Sequence, residues 1–168
     1  MKSAKKYIPW GVVGLIIIAQ FLLSAQSGNS SRELSVSIAD RILFNFEAIL
    51  KTIRLSSEGQ FRLLLDGFVR KLAHFLAFFV LGIFTPLAVR LTIPVVRSSK
   101  WAPFLISFCI LFVIASLDEY HQMFVSGRTM SISDIILDMQ GVMTGFAVTF
   151  GYHVTKRISA WLQDDSDD

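Results

Sequence analysis

Asp118-Glu119-Tyr120-His121-Gln122-Met123-Phe124-Val125-Ser126-Gly127-Arg128 lies between two apolar runs, one over residues 101–117 and one that opens at Asp134 and carries Asp138. No other part of the chain packs two acids, a histidine, a glutamine and an arginine so closely. The runs on either side decide the class of molecule. Each approaches the roughly 20 helical residues that cross about 30 Å of hydrocarbon. Further out lie two more apolar runs, residues 72–91 and residues 8–25; the latter follows Lys2, Lys5 and Lys6 and is broken by Gln20.

Composition agrees. The chain has 168 residues, 53% hydrophobic and 17% charged, with mean hydropathy +0.57. Soluble domains are typically about 45–50% apolar and about 25% charged. The chain therefore reads as an all-α, polytopic membrane protein, a four-helix transmembrane bundle with spans near 8–25, 72–91, 101–117 and 134–154. Residues 1–155 form one membrane domain, and 156–168 an acidic cytoplasmic tail ending in a solvated Asp-rich stretch. The single cysteine, Cys109, excludes an internal disulfide and a Cys-based metal site.

The first run is long for a signal-peptide core of about 7–15 residues. It is preferred as an uncleaved helix, although Ala25-Gln26-Ser27 offers small residues for cleavage. Beyond it, Leu34, Ile38, Ile42, Phe46, Leu50 and Ile53 recur at a helical period. That pattern predicts an extracytoplasmic amphipathic helix over about 32–54, lying on the outer leaflet. Ser57-x-x-Gln60 fits a capping box that starts the next helix, and Ser133 or Asp134 is expected to cap the fourth span.

Short segments at the N-terminus, at 90–100 and at 156–157 carry Lys or Arg and no acid. The positive-inside rule places all three in the cytoplasm, with both termini inside. The end of span one, the start of span two, the end of span three and the start of span four then meet at the outer face. Lys71 and His74 share a helix face, as do Glu119 with Gln122, Asp118 with Gln122, and Asp134 with Asp138. A charge deep in a membrane helix costs on the order of 2.5–3.5 kcal/mol on insertion scales. Asp138 should therefore face inward, with Lys71, Arg128 and His74 as available partners. Polar residues at helix ends also mark the interface: Arg70 and Lys71 can snorkel, and Asp134 can act as an N-cap.

Arg70-Lys-x-Ala-His74-Phe75 with Leu81-Gly82, followed by Asp118-Glu-x-His-Gln122-x-Phe-Val-x-Gly-Arg128 and Asp134-Ile-x-x-Asp138-x-x-Gly141-x-x-x-Gly145, resembles the two motifs of the VanZ-like membrane proteins. Ser24-Ala-Gln-Ser27-Gly28 resembles the polar end of that family's first helix. The resemblance implies a four-helix protein of the bacterial cytoplasmic membrane, and its namesake's function implies low-level resistance to teicoplanin, a lipid-bearing glycopeptide. The chain departs from the pattern at Ala77-Phe78, where close members often have Glu-Tyr, and at Ser126, commonly Pro. Position 138 is Asn in some members.

Four functions compete. In the first, Lys71 and Arg128 hold the anionic head group of a membrane lipid or lipid-linked envelope molecule, with Asp118, Asp134 and Asp138 completing the site. In the second, Glu119 and His74 are the acid and base of an intramembrane hydrolase or transferase, Gln122 orienting, Arg128 stabilising negative charge, and Ser24 or Ser27 available as nucleophile. The third is a metal site from His74, His121, Asp118 and Glu119, which is disfavoured because His121 points about 100° away from Gln122. The fourth is an accessory subunit whose polar cluster is structural. Binding is preferred to catalysis, and no cofactor, metal or nucleic-acid partner is expected.

Overall fold

The structure is a computed structural model that describes residues 4–26, 37–38 and 58–164. The amphipathic segment expected at 32–54 lies outside the described residues except for Ser37 and Ile38, which are helical. Ser57 of the expected capping box lies outside them too.

Four long helices are present, and no strand is found among the described residues. They are α1 (Ile8–Ser24), α2 (Glu58–Thr92), α3 (Ala102–Gln122) and α4 (Ile132–Asp164). The all-α class stands. Among the described residues, three helical segments are long and apolar enough to cross a membrane: Ala4–Ser24, Gly67–Thr92 and Ala102–Gln122. The fourth expected span is not among them, because Asp134, Asp138 and Gln140 dilute the apolar run of α4.

Two boundaries differ from expectation. α4 begins at Ile132, with Ser131 rather than Ser133 or Asp134 before its first turn. The Asp134 and Ile135 amides both donate to the Ser131 carbonyl, which closes the helix two residues early. At its far end α4 continues to Asp164, through most of the stretch expected to be tail.

The pattern of α3 shows why these helices pack as they do. Pro103, Ser107, Leu111, Ala115, Asp118, Glu119 and Gln122 are buried, at the three- and four-residue spacing of one helical face. The opposite face carries exposed Leu105, Phe108, Phe112, Val113 and Leu117. A face of this kind exposed to water would be a large apolar patch; in lipid it is at home. In α1, Val13, Gln20 and Ser24 are buried along one face in the same way. Val13, Phe78, Leu111, Ala115 and Val142 meet in a core to which all four helices contribute.

α2 and α4 cross with their backbones in contact. A Cβ built on Gly82 would lie 2.5 Å from the Val142 carbonyl oxygen, and one on Gly141 would lie 2.5 Å from that of Phe75. One on Gly145 would strike the Phe79 carbonyl oxygen. Small residues of this kind let membrane helices approach closely, and this crossing fixes how far α4 slides and rotates against α2. At the end away from the acidic stretch, the Trp10 indole donates to Thr92 Oγ1 at 3.1 Å. Arg97 donates to the carbonyls of Arg90 and Leu91 and so caps the C-terminus of α2.

Candidate functional site

The polar ends of all four helices converge. Ser24 Oγ, at the end of α1, donates to Asp118 Oδ2 at 2.9 Å, and both side chains are fully buried. Gln20, one turn earlier, places its amide nitrogen 2.8 Å from His74 Nδ1 on α2. His74 Nδ1 in turn lies 3.7 Å from Asp138 Oδ1 on α4. Lys71, one turn from His74, pairs with Asp134 at 3.5 Å. Gln122 donates to Asp118 at 3.3 Å and to Glu119 at 3.1 Å. Glu119 accepts the Ser131 amide at 2.8 Å, tying α3 to the start of α4.

Between α3 and α4 the chain reverses in a turn, with the Arg128 amide donating to the Val125 carbonyl at 3.1 Å. Gly127 sits at the third position of this turn with φ 78°, a conformation glycine adopts without penalty. Ser126 holds the second position, where proline is favoured in such turns; the turn closes without it. The turn brings Arg128 back over the polar cluster. Burial pulls the Arg128 pKa down, and the charge of Arg70 pulls it further, while Asp118 and Glu119 hold it up. A guanidinium stays charged through such a shift. Its Nε is buried with no hydrogen-bond partner among the described residues.

Two cavities meet here. A groove of about 400 Å³ runs between α1 and α2, lined by apolar residues including Leu15, Ala19, Ala73, Leu76 and Ala77. A smaller cavity of about 170 Å³ is lined by polar groups, among them Lys71, Gln122, Ser131 and Asp134. Arg70, His74 and Arg128 line both. The arrangement joins an apolar slot to a cationic mouth.

A family model described as VanZ/LLP1 matches residues 10–154. The chain belongs to the VanZ/LLP1 family. Comparison with curated proteins and with solved structures finds no match.

The VanZ/LLP1 match spans all the residues singled out in the sequence, and the structure sorts them. Lys71, His74, Gln122, Arg128 and Asp134 line the polar cavity. Asp118, Glu119 and Asp138 are fully buried behind it. Asp138 faces inward as expected, with His74 Nδ1 3.7 Å from its Oδ1 and neither carboxylate oxygen hydrogen-bonded among the described residues, while Lys71 is taken by Asp134. Glu119 and His74, expected to act together, are not bonded: Glu119 is engaged by Ser131 and Gln122, and His74 by Gln20 and Asp138. Ser24 has its hydroxyl buried against Asp118, so it is closed to a substrate; Ser27 lies outside the described residues. Among the described residues no three of His74, His121, Asp118 and Glu119 are grouped as metal ligands, and His121 lies beside the ring of Phe21, with centroids 6.1 Å apart.

Three residues that the structure places at this cluster do not stand out as site residues in the sequence. Gln20 reads only as an interruption of an apolar run, although it lies four residues before Ser24 and so shares its face. Arg70 reads as a snorkelling interface residue. Ser131 contributes its backbone, which no side-chain pattern reveals.

Proposed function

We propose that this VanZ/LLP1 protein binds an anionic amphiphile at the outer face of the bacterial cytoplasmic membrane, and thereby alters how the envelope meets lipid-bearing glycopeptides such as teicoplanin. One observation carries the proposal: Arg70, His74 and Arg128 line both the apolar groove and the polar cavity. An amphiphile laid along α1 and α2 puts its chain in the first and its head in the second. Charge-assisted bonds from guanidinium to phosphate or carboxylate are the strong ones.

The same proposal takes α4 as the fourth span, with both termini in the cytoplasm. Asp134 and Asp138 oppose a membrane position only while unpartnered, and each faces a base, Lys71 and His74. The Lys and Arg of the short segments at residues 90–100 and 156–157 then face inward. The partner is a membrane lipid or a lipid-linked envelope molecule.

Catalysis has less support. Glu119 is fully buried, and it is bonded by the Ser131 amide and the Gln122 side chain. In a Gram-positive host expressing matched membrane levels, the wild type is expected to protect against teicoplanin. Arg128→Gln is expected to remove protection, while Glu119→Gln retains it. Loss with Glu119→Gln and retention with Arg128→Gln would reverse the assignment and favour an acid. A wild type without effect would remove teicoplanin from the proposal.

A further inference from the structure

We propose that the site selects a phosphate monoester carried on a single acyl chain, with Arg70 as the residue that distinguishes phosphate from carboxylate. This rests on the amphiphile reading and narrows it.

Charge separates a phosphate from a carboxylate at this site. Three cations line the polar cavity, Arg70, Lys71 and Arg128, and one carboxylate, Asp134. Lys71 is matched by Asp134 at 3.5 Å. Among the residues from 67 onward whose side chains are described, the ion pairs at this site are Lys71–Asp134 and His74–Asp138, with Arg70 and Arg128 in neither, and the charge of Arg70 is felt at Arg128. Asp118 and Glu119 attract Arg128 from behind, yet neither lines the cavity, and both are engaged by Ser24, Gln122 or the Ser131 amide. Two like charges face one small space. A fatty-acid carboxylate supplies one negative charge. A phosphate monoester supplies roughly 1.5 to 2 at neutral pH, with three strong acceptor oxygens. Its oxygens match two guanidinium forks at once.

Cavity size limits the head group. Pockets that bury a drug-sized ligand span about 300–1,000 Å³. The polar cavity, at about 170 Å³, lies below that range. It admits a compact phosphate and leaves little room for choline or a sugar. The groove, at about 400 Å³, lies near the lower end of the range. Ala19, Ala73 and Ala77 add little bulk to its walls, and the proposal seats one chain there.

The test is equilibrium binding to purified full-length protein in nonionic micelles. The probes are palmitoyl lysophosphatidic acid, palmitate, palmitoyl lysophosphatidylcholine and inorganic phosphate. The lysophosphatidic acid is expected to bind at least about tenfold tighter than palmitate, consistent with one further charged hydrogen bond. Palmitate should exceed lysophosphatidylcholine, and inorganic phosphate should compete poorly. Arg70→Gln should bring lysophosphatidic acid down to the palmitate level, and Arg70→Lys should recover part of the loss. Arg70 is exposed, so its truncation leaves the core packing intact.

Equal binding of lysophosphatidic acid and palmitate would overturn the phosphate assignment and leave the amphiphile reading standing. Equal binding of lysophosphatidylcholine, or no binding of any chain, would overturn both. Competition by inorganic phosphate as strong as that of lysophosphatidic acid would mean a soluble phosphate ligand and would also overturn both. Unchanged selectivity in Arg70→Gln would remove Arg70 from the assignment.

Discussion

Replacing Gly145 with leucine is expected to break the α2–α4 crossing and with it the site. The added Cβ would strike the Phe79 carbonyl oxygen and come within 2.9 Å of the Gly82 carbonyl carbon. These are backbone atoms, which cannot rotate aside as a side-chain tip can. Overpacking a close-packed contact typically costs about 1–3 kcal/mol, and a backbone clash belongs at the top of that range or above. The effect also reaches further than the contact. If α4 moves away, Asp134 leaves Lys71 and Asp138 leaves His74. The check is thermal unfolding of the detergent-solubilised protein beside Gly151→Leu on the same helix, where a Cβ meets nothing within 4 Å. A large loss for Gly145→Leu and almost none for Gly151→Leu is expected; equal stability would mean that the crossing is loose.

The second large effect concerns ligand affinity. The double variant Arg70→Gln/Arg128→Gln is expected to lose about a hundredfold in affinity for an anionic single-chain amphiphile at low salt. Hydrogen bonds to charged groups contribute about 1.5–3 kcal/mol each, about tenfold or more per arginine. High salt should narrow the gap, since the screening length falls to about 3 Å at 1 M. The two arginines should differ in the absence of ligand. Arg70 repels Arg128, so Arg70→Gln alone should leave the unliganded melting temperature unchanged or raise it. Arg128 is attracted by buried Asp118 and Glu119, so removing it should lower the melting temperature. A ligand-induced rise in melting temperature should shrink in each single variant and shrink further in the double variant. A double variant that binds as tightly as the wild type would remove the cationic mouth from the site.

Much of this architecture is legible in the sequence. The apolar runs give helices, and the pairing of short basic segments with one acidic stretch predicts that Ser24, Lys71, His74, Asp118 and Asp134 converge. They meet in pairs across helices, Ser24 with Asp118 at 2.9 Å and Lys71 with Asp134 at 3.5 Å, while His74 lies 3.7 Å from Asp138. What stays hidden is the partner choice within the cluster. Lys71, His74 and Arg128 are all bases within reach of Asp138, and selecting His74 needs the rotation and stagger of α4 on α2. That stagger is set by Gly82, Gly141 and Gly145 meeting carbonyls across the crossing, a fit in three dimensions with no one-dimensional signature. Glu119 is hidden for another reason. Its partner is a backbone amide at Ser131, available only because the turn through Gly127 folds the chain back. The sequence reads 134–154 as a fourth span, yet α4 is not among the described segments apolar enough to cross a membrane; hydropathy counts each residue alone and does not register that Asp134 and Asp138 face Lys71 and His74 on α2.

The most direct measurement is where the chain of a bound amphiphile lies. A photoactivatable group near the middle of a single acyl chain with an anionic head, crosslinked to the wild type in nanodiscs and mapped by mass spectrometry, reports this residue by residue. Crosslinks are expected on Leu15, Ala19 and Leu23 of α1 and on Ala73, Leu76, Ala77 and Val80 of α2, the wall of the groove. An excess of unlabelled anionic amphiphile should displace them. Crosslinks confined to the outward face of α3, at Leu105, Phe108 and Phe112, or resistant to competition, would show a chain that merely bathes the protein, and would contradict a binding site between α1 and α2.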